Sequence, residues 1–156
     1  MTEMRRVLEV LRTDEPRYAP QPGLSRLSDL LDEARGAGLP VELVEEGDRL
    51  ELPPGLDLVA FRVVQESLTN VRRHAAGAPT RVLVRYGAEA LELEVANAPS
   101  PGAESNGTGA SSSGGGHGLI GMRERVHLFD GSFRTEASDD GGFRVQASLP
   151  LTDAFR

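Results

Sequence analysis

The sequence predicts an α+β fold, a two-layer α/β sandwich in which a mixed sheet of about five strands carries three core helices on one face. Two stretches, 24–37 and 54–75, repeat apolar residues at spacings of three and four, as helices with one buried face do. Two others, 82–95 and 133–149, alternate apolar and polar residues on either side of a glycine-containing turn, as β-hairpins do. Packing the helices on one face of the sheet buries both apolar surfaces.

The composition predicts one soluble, cytoplasmic domain. The chain has 156 residues, enough to bury a substantial core, and 38% of them are apolar. Seventeen basic and 24 acidic residues give a net charge of −7, which argues against nucleic acid or an anionic membrane surface as the main partner. Every one of the basic residues is arginine. The absence of cysteine excludes disulfides and thiolate metal sites, and no apolar run reaches the roughly 18 residues of a membrane span.

The first part of the chain is predicted to alternate helix and strand. An amphipathic helix over 1–12 is followed by three prolines, and a second helix covers 24–37. Residues Val41–Val44 then form a strand. Across a turn at Gly47-Asp48, we expect a short partner strand over Leu50–Leu52, before two prolines open the longest helix.

The longest helix places polar side chains of chemical use on one face. Glu66, Asn70 and His74 follow one another at intervals of four, and Arg73 adds positive charge beside them. A carboxylate can accept a proton, and an amide oxygen is a hard ligand for magnesium that bridges to phosphates. Taken alone, such a polar row is more often a solvated helix face. The other side of the helix is apolar and should be buried, through Phe61, Val64, Leu68, Val71 and Ala75.

A second motif strengthens the nucleotide interpretation. Residues 114–118 are a glycine-rich loop that runs into a third core helix, where free backbone amides and the positive end of the helix dipole favour phosphate. The sequence Asp130-Gly131 stops this helix. Before the loop, residues 98–116 are almost entirely Gly, Ser, Ala, Pro and Asn, so we expect them to be mobile without ligand. The apolar positions of the helix are Leu119, Met122, Val126 and Phe129.

The polar row of the longest helix and the glycine-rich loop that follows it in the chain resemble two motifs of one family. These are the asparagine box and the second glycine box of the ATP-binding catalytic domain of bacterial sensor histidine kinases. That domain is related to the ATPases of the gyrase, Hsp90 and MutL type and has the Bergerat (GHKL) fold. The similarity is greater still to the kinases that act with response regulators of the nitrate-response type, in which the boxes read much like Gln65–Asn70 and Gly116–Arg125. The resemblance covers about residues 3–151.

The resemblance implies transfer of the γ-phosphoryl group of Mg-ATP to a histidine on a dimerisation hairpin. Glu66 would be the base that orients or deprotonates that histidine, and Asn70 would hold magnesium. Arg73 and His74 would meet phosphate, and Asn97 would meet adenine. The hinge of a lid over the nucleotide would be shaped by Gly116, His117, Gly118 and Leu119.

The resemblance also implies a domain layout and partners. Residues 1–15 would end the hairpin helix and form a linker, 16–151 would be the ATP-binding catalytic domain with its lid at 98–116, and 152–156 a tail. None of the three histidines lies in the His-Asp or His-Glu context of the family's acceptor, so the acceptor is expected outside this chain. The partners would be ATP, the hairpin and, downstream, a response regulator. We expect the fragment to be monomeric and inactive alone, and its parent kinase to be dimeric, with membrane attachment of the parent left open.

The chain departs from the family's pattern around Asn97. The family commonly has an aspartate there, which accepts a hydrogen bond from the adenine amino group, followed by glycines where this chain has Pro99 and Pro101. A neutral amide should weaken that bond by about 1 kcal/mol. Phe143 replaces a common Thr or Ser.

Two alternatives therefore stay open beside the kinase domain. One is a degenerate regulatory module of the same fold that does not use ATP, against which the intact Glu66 and Asn70 count. The other is an anti-sigma-factor serine kinase, against which the helix predicted over 1–12 counts.

Overall fold

The computed structural model describes residues 21–101 and 116–151. The predicted helix over 1–12, most of the predicted lid and the predicted tail lie outside the described residues. A 3-10 turn at Leu24–Arg26 leads into the first helix. The elements that follow are α1 (Leu27–Gly36), β1 (Val41–Glu46), α2 (Pro54–His74), β2 (Thr80–Tyr86), β3 (Ala90–Asn97), α3 (Gly116–Leu128), β4 (Ser132–Ala137) and β5 (Phe143–Pro150).

The five strands form one mixed sheet in the order β1-β2-β3-β5-β4. The pair β1 and β2 is parallel, and the other three pairs are antiparallel. Both predicted hairpins are confirmed, as β2–β3 and β4–β5. At one end of the sheet, Thr80, Asn97 and Phe143 lie side by side on three neighbouring strands.

The helices cover one face of the sheet. Alternate strand residues such as Val84, Leu93 and Val145 are buried in the core with the apolar sides of the helices. The other face is polar: Arg85 donates to Glu46 at 2.6 Å and to Glu92 at 3.0 Å. This division confirms the predicted two-layer sandwich, because a sheet with helices on one side alternates apolar and polar residues along each strand.

Helix α2 passes through the middle of this core. All five of the apolar residues predicted to face inward, Phe61, Val64, Leu68, Val71 and Ala75, are buried. Pro54 stands at the first helical position, where its missing N–H costs no intrahelical bond. The first turn is also tied to the 3-10 turn before α1, because Asp57 Oδ1 accepts a hydrogen bond from the Leu24 amide at 2.8 Å.

The predicted strand over Leu50–Leu52 is wrong. Residues 48–53 have no regular structure, and β1 instead pairs in parallel with β2, a strand much further along the chain. Gly47 turns the chain away from the sheet with a φ of 82°, and Arg49 forms an ion pair with Glu45 at 2.9 Å. A hairpin partner is therefore not needed at this position: β2 supplies the hydrogen bonds of β1, and the chain crosses directly to α2.

Asp130 and Gly131 end α3 as predicted. Asp130 supplies the left-handed backbone conformation, and Gly131 supplies the closing hydrogen bond and the close approach to β5. Asp130 has the left-handed φ of 58°, a conformation that aspartate tolerates better than most residues. Gly131 donates its amide hydrogen to the Val126 carbonyl at 3.0 Å. A Cβ at position 131 would overlap the Ser148 carbonyl, so glycine is needed there for close approach to β5.

Candidate nucleotide-binding site

The polar row on α2 changes in depth along the helix. Glu66 is half-buried, Asn70 is 9% exposed, and His74 in the last turn is exposed. Residues four apart on a helix lie one above the other, so the three side chains border one side of α2. The row is therefore deepest at Asn70, in its middle, and it is not the fully solvated face that the pattern alone allowed.

Asn70 is the residue of this row whose hydrogen-bonding side-chain atoms are buried. Neither its Nδ2 nor its Oδ1 atom has a hydrogen-bond partner among the described residues, although both atoms are buried. Leaving a buried amide unpaired costs about 1–3 kcal/mol, and such groups in folded proteins call for an explanation. An amide oxygen is a hard ligand that suits magnesium, so the unpaired group fits the ion that the sequence implies here.

Glu66 lies against the first turn of α3. A Cβ placed on Gly118 would overlap the Glu66 carboxylate, so only glycine allows this approach. The first amides of a helix have no partner within the helix and carry the positive end of its dipole. The contact therefore brings a carboxylate and an electropositive helix start together, an arrangement that can hold an anionic group and receive a proton beside it.

Arg73 and His74 are both exposed in the last turn of α2. Neither takes part in an ion pair among the described residues. Arg73 lines a cleft of about 420 Å³ together with Arg72 and Thr69, on the side of α2 that faces the loop after α1. The pattern of the sequence did not predict this cleft, because its other wall comes from Ala37, Gly38 and Leu39.

Asn97 ends β3 on the side of the sheet that the helices cover. Its Nδ2 donates a hydrogen bond to the Ala98 carbonyl at 2.9 Å. Thr80, its neighbour on β2, was missed by the sequence reasoning: it is buried, and its hydroxyl donates to the Ala78 carbonyl at 2.9 Å. The signal was present, because Thr80 is a small polar residue at the start of a row of alternate β2 positions that continues with Val82 and Val84.

The end of β3 and the end of α2 meet at one corner of the molecule. Only the short connection 75–79 separates α2 from Thr80, to which Asn97 is paired. The segment after Asn97 is tied to the same corner: the Ala98 amide donates to the Pro79 carbonyl, and the Ser100 hydroxyl to the Ala76 carbonyl, each at 2.9 Å. Ala98 and Ser100, at the start of the segment predicted to be mobile, therefore have defined partners.

The remaining predicted site residues belong to α3. Gly116 and His117 stand in its first turn, so the helix begins inside the predicted glycine box; their side chains lie outside the described part of the chain. Leu119 is half-buried and packs on the core, which anchors the first turn beside Glu66. His127, to which no role was assigned, is exposed.

Comparison with known proteins identifies the kind of domain. Residues 56–153 match the family described as histidine kinase-, DNA gyrase B- and HSP90-like ATPases. The chain is 29% identical to the sensor histidine kinase LnrJ of Bacillus subtilis over 122 residues, which cover 78% of the chain and 28% of that protein. It is 30% identical to the sensor histidine kinase YxjM of the same organism over 131 residues, covering 83% and 30%.

Two further proteins are similar to the chain, one in sequence over nearly its whole length and one in fold. The signal transduction histidine-protein kinase/phosphatase DegS of Brevibacillus brevis is 25% identical over 158 residues, covering 97% of the chain and 38% of that protein. The chain thus spans between 28% and 38% of the length of these relatives. A blue-light activated histidine kinase of Erythrobacter litoralis has a similar fold, with a TM-score of 0.61 at 17% identity over 85% of the chain and 46% of its own. No helix within the described residues is long and apolar enough to cross a membrane.

Proposed function

The chain belongs to the family of histidine kinase-, DNA gyrase B- and HSP90-like ATPases, and we propose that it is the ATP-binding catalytic domain of a sensor histidine kinase. In this role it transfers the γ-phosphoryl group of Mg-ATP to a histidine on a dimerisation hairpin, from which a response regulator receives it. The long asparagine and glycine boxes favour a kinase that acts with regulators of the nitrate-response type. The observation that carries the proposal is the buried amide of Asn70, which has no hydrogen-bond partner within residues 21–101 and 116–151.

Asn70 would hold magnesium at the phosphates. Magnesium in nucleotide sites is usually bound by one or two protein oxygens, with phosphate oxygens and water completing the shell. Asn70 Oδ1 is one such oxygen, and it is not engaged by any other group among the described residues. The ion supplies charge neutralisation for the phosphates, while Arg73, His74 and the first turn of α3 would add positive potential around them.

Glu66 would act as the base. When an imidazole nitrogen of the acceptor attacks the γ-phosphorus, the bond to the oxygen that bridges the β- and γ-phosphates breaks and ADP leaves. The proton on the attacking nitrogen then needs an acceptor, and a half-buried carboxylate beside the phosphate site can take it. In phosphoryl transfer most of the rate comes from positioning and charge stabilisation, so Glu66 also has to be held in place.

Calorimetric titration of the chain with ATP, with and without magnesium, tests the proposal. We expect saturable binding that weakens when magnesium is removed. The degenerate module is the second candidate. Asn97, Pro99 and Pro101 favour it, because the family commonly has an aspartate and glycines at these positions. Absence of binding at millimolar ATP with magnesium present would select the degenerate module.

A test of the base role needs an acceptor. With a phosphorylatable hairpin supplied in trans, Glu66→Gln should bind ATP like the parent chain and transfer phosphate about a hundredfold more slowly, the usual contribution of a positioned base. Glu92→Gln is the matched control, because it makes the same carboxylate-to-amide change on the polar face of the sheet, where Glu92 accepts a hydrogen bond from Arg85. Undiminished transfer by the Gln variant would rule out Glu66 as the base.

A further inference from the structure

We infer that the base subsite of this chain accepts a 6-oxo purine, as in GTP, nearly as well as a 6-amino purine, as in ATP. The inference rests on the proposed function and concerns the nucleotide that the same site takes. It follows from the polar groups available at the sheet end formed by Thr80, Asn97 and Phe143.

These three residues offer few hydrogen-bonding groups to a base. Phe143 has none in its side chain. The Thr80 hydroxyl has used its hydrogen on the Ala78 carbonyl, so it can only accept. The Asn97 amide has used one of its two Nδ2 hydrogens on the Ala98 carbonyl, which leaves one N–H donor and the Oδ1 acceptor. The only hydrogen-bond donor in the row is therefore this remaining N–H group.

A free amide edge can match both kinds of purine. The edge of adenine presents an amino donor beside a ring-nitrogen acceptor, whereas guanine presents a carbonyl acceptor beside a ring N–H donor. Asn97 can meet the 6-substituent of either base, because Oδ1 can accept from the adenine amino group and the remaining Nδ2–H can donate to the guanine carbonyl. A carboxylate at the same place could only accept, and it would repel the guanine carbonyl. Strong discrimination arises when a wrong ligand leaves a buried polar group unpaired, and an amide does not impose that penalty.

Neighbouring backbone holds Asn97 in place, so the chemistry of its side chain matters for the choice between the two purines. Its backbone is paired on both sides, with Thr80 and with Phe143. Gly142 lies so close that a Cβ there would meet the Asn97 carbonyl oxygen at 2.5 Å, and the Ala98 amide is bonded to Pro79. The backbone therefore holds Asn97 at this sheet end, and among the three residues of the row only Asn97 has a side-chain donor left for a base.

Titrating the whole chain with ATP and with GTP, in the presence of magnesium, tests the inference. We expect the two dissociation constants to agree within about fivefold, which corresponds to about 1 kcal/mol. Asn97→Asp should bind ATP at least as tightly as the parent and GTP at least about tenfold more weakly, because the donor is lost. Asn97→Leu, a control of similar size, should weaken both nucleotides by the same factor and leave their ratio unchanged.

The outcomes separate this inference from the proposed function. If neither nucleotide binds the parent chain, the proposed function is wrong and the base inference is wrong with it. If ATP binds and GTP is more than about fivefold weaker, the proposed function stands and only this inference is overturned. The same holds if both nucleotides bind and Asn97→Asp leaves their ratio unchanged, since Asn97 would then not contact the base. A thermal unfolding curve for each variant shows that the comparison is made on folded protein.

Discussion

Gly118, at the start of α3, lies directly against the carboxylate of Glu66 on α2, with no room for a Cβ between them. Gly121, within the same helix, has no atom within 4 Å of the place where its Cβ would stand. The two glycines therefore differ in what a methyl group would meet, although both occupy helical backbone. An alanine at position 118 would therefore displace the Glu66 carboxylate without any change to Glu66 itself, whereas an alanine at position 121 would not.

Gly118→Ala should slow phosphoryl transfer by about ten- to a hundredfold, because a displacement of a catalytic group by about 1 Å can cost as much as a hundredfold. Glu66 is flexible at its far end, so its carboxylate moves and the helices stay in place. We expect the free energy of unfolding to change by less than about 1 kcal/mol. The measurements are phosphate transfer to an acceptor hairpin in trans and urea unfolding of the variant.

Gly121→Ala is the matched control for that substitution. It should leave transfer unchanged and stabilise the chain by about 0.5–1 kcal/mol, the ordinary gain of alanine over glycine in a helix. Equal rates for both alanine variants would mean that the approach of Gly118 to Glu66 has no part in the reaction.

Asn70→Leu should remove magnesium-dependent nucleotide binding and at the same time stabilise the fold. The reason is that both polar atoms of the Asn70 side chain are buried without a partner among the described residues, which costs about 1–3 kcal/mol that an apolar side chain of similar volume does not incur. Calorimetry with Mg-ATP and denaturant unfolding would measure the two effects. A variant that is destabilised and still binds Mg-ATP would refute the assignment of Asn70 as the metal ligand.

The Asp57 carboxylate should anchor the start of the domain to α2. It accepts a hydrogen bond from the Leu24 amide at 2.8 Å, and a Cβ on Gly23 would overlap it. We expect Asp57→Ala to lower the free energy of unfolding by about 1–2 kcal/mol and Gly23→Ala to lower it similarly. Gly36→Ala, where a Cβ meets nothing within 4 Å, should not destabilise the chain.

A double-mutant cycle separates this contact from two independent losses. Removing the carboxylate also removes the clash, so Gly23→Ala combined with Asp57→Ala should cost less than the sum of the single changes. Strictly additive losses would show that the two residues do not act through each other.

Stability should also fall at high pH through Tyr86. Burial raises the pKa of this phenol above its usual value near 10, partly offset by the positive charge of Arg49. The folded state therefore holds the proton more tightly than the unfolded state. Its contribution is complete below pH 10 and is lost as the pH rises from 10 through the folded pKa. Unfolding curves between pH 8 and about 11 should show a smaller decline for Tyr86→Phe than for the parent chain.

The sequence by itself determined most of the fold. The apolar residues of α2 and the alternation in the two hairpins predicted the correct elements, because helix and strand periods are properties of the local backbone. It also singled out Glu66 and Asn70 by a spacing of four, which any helix turns into a shared face. Predictions of this kind need no knowledge of distant residues.

The tertiary structure decided the pairings and the burial. Whether β1 joined Leu50–Leu52 or β2 depended on a strand that lies far along the chain, and local alternation carries no information about that choice. Thr80 was missed for the same reason, since its importance comes from lying beside Asn97 on another strand.

The chemistry of the polar row was decided in the same way. Spacing alone could not show that Asn70 is buried with no partner in the part of the chain that the structure describes, or that Gly118 lets α3 reach the Glu66 carboxylate. Both depend on how closely α2 and α3 pack in the folded molecule. The cost of an unpaired polar group or of a steric overlap exists only after distant segments have come together, so the sequence supplies the side chains and the packing determines what they can do.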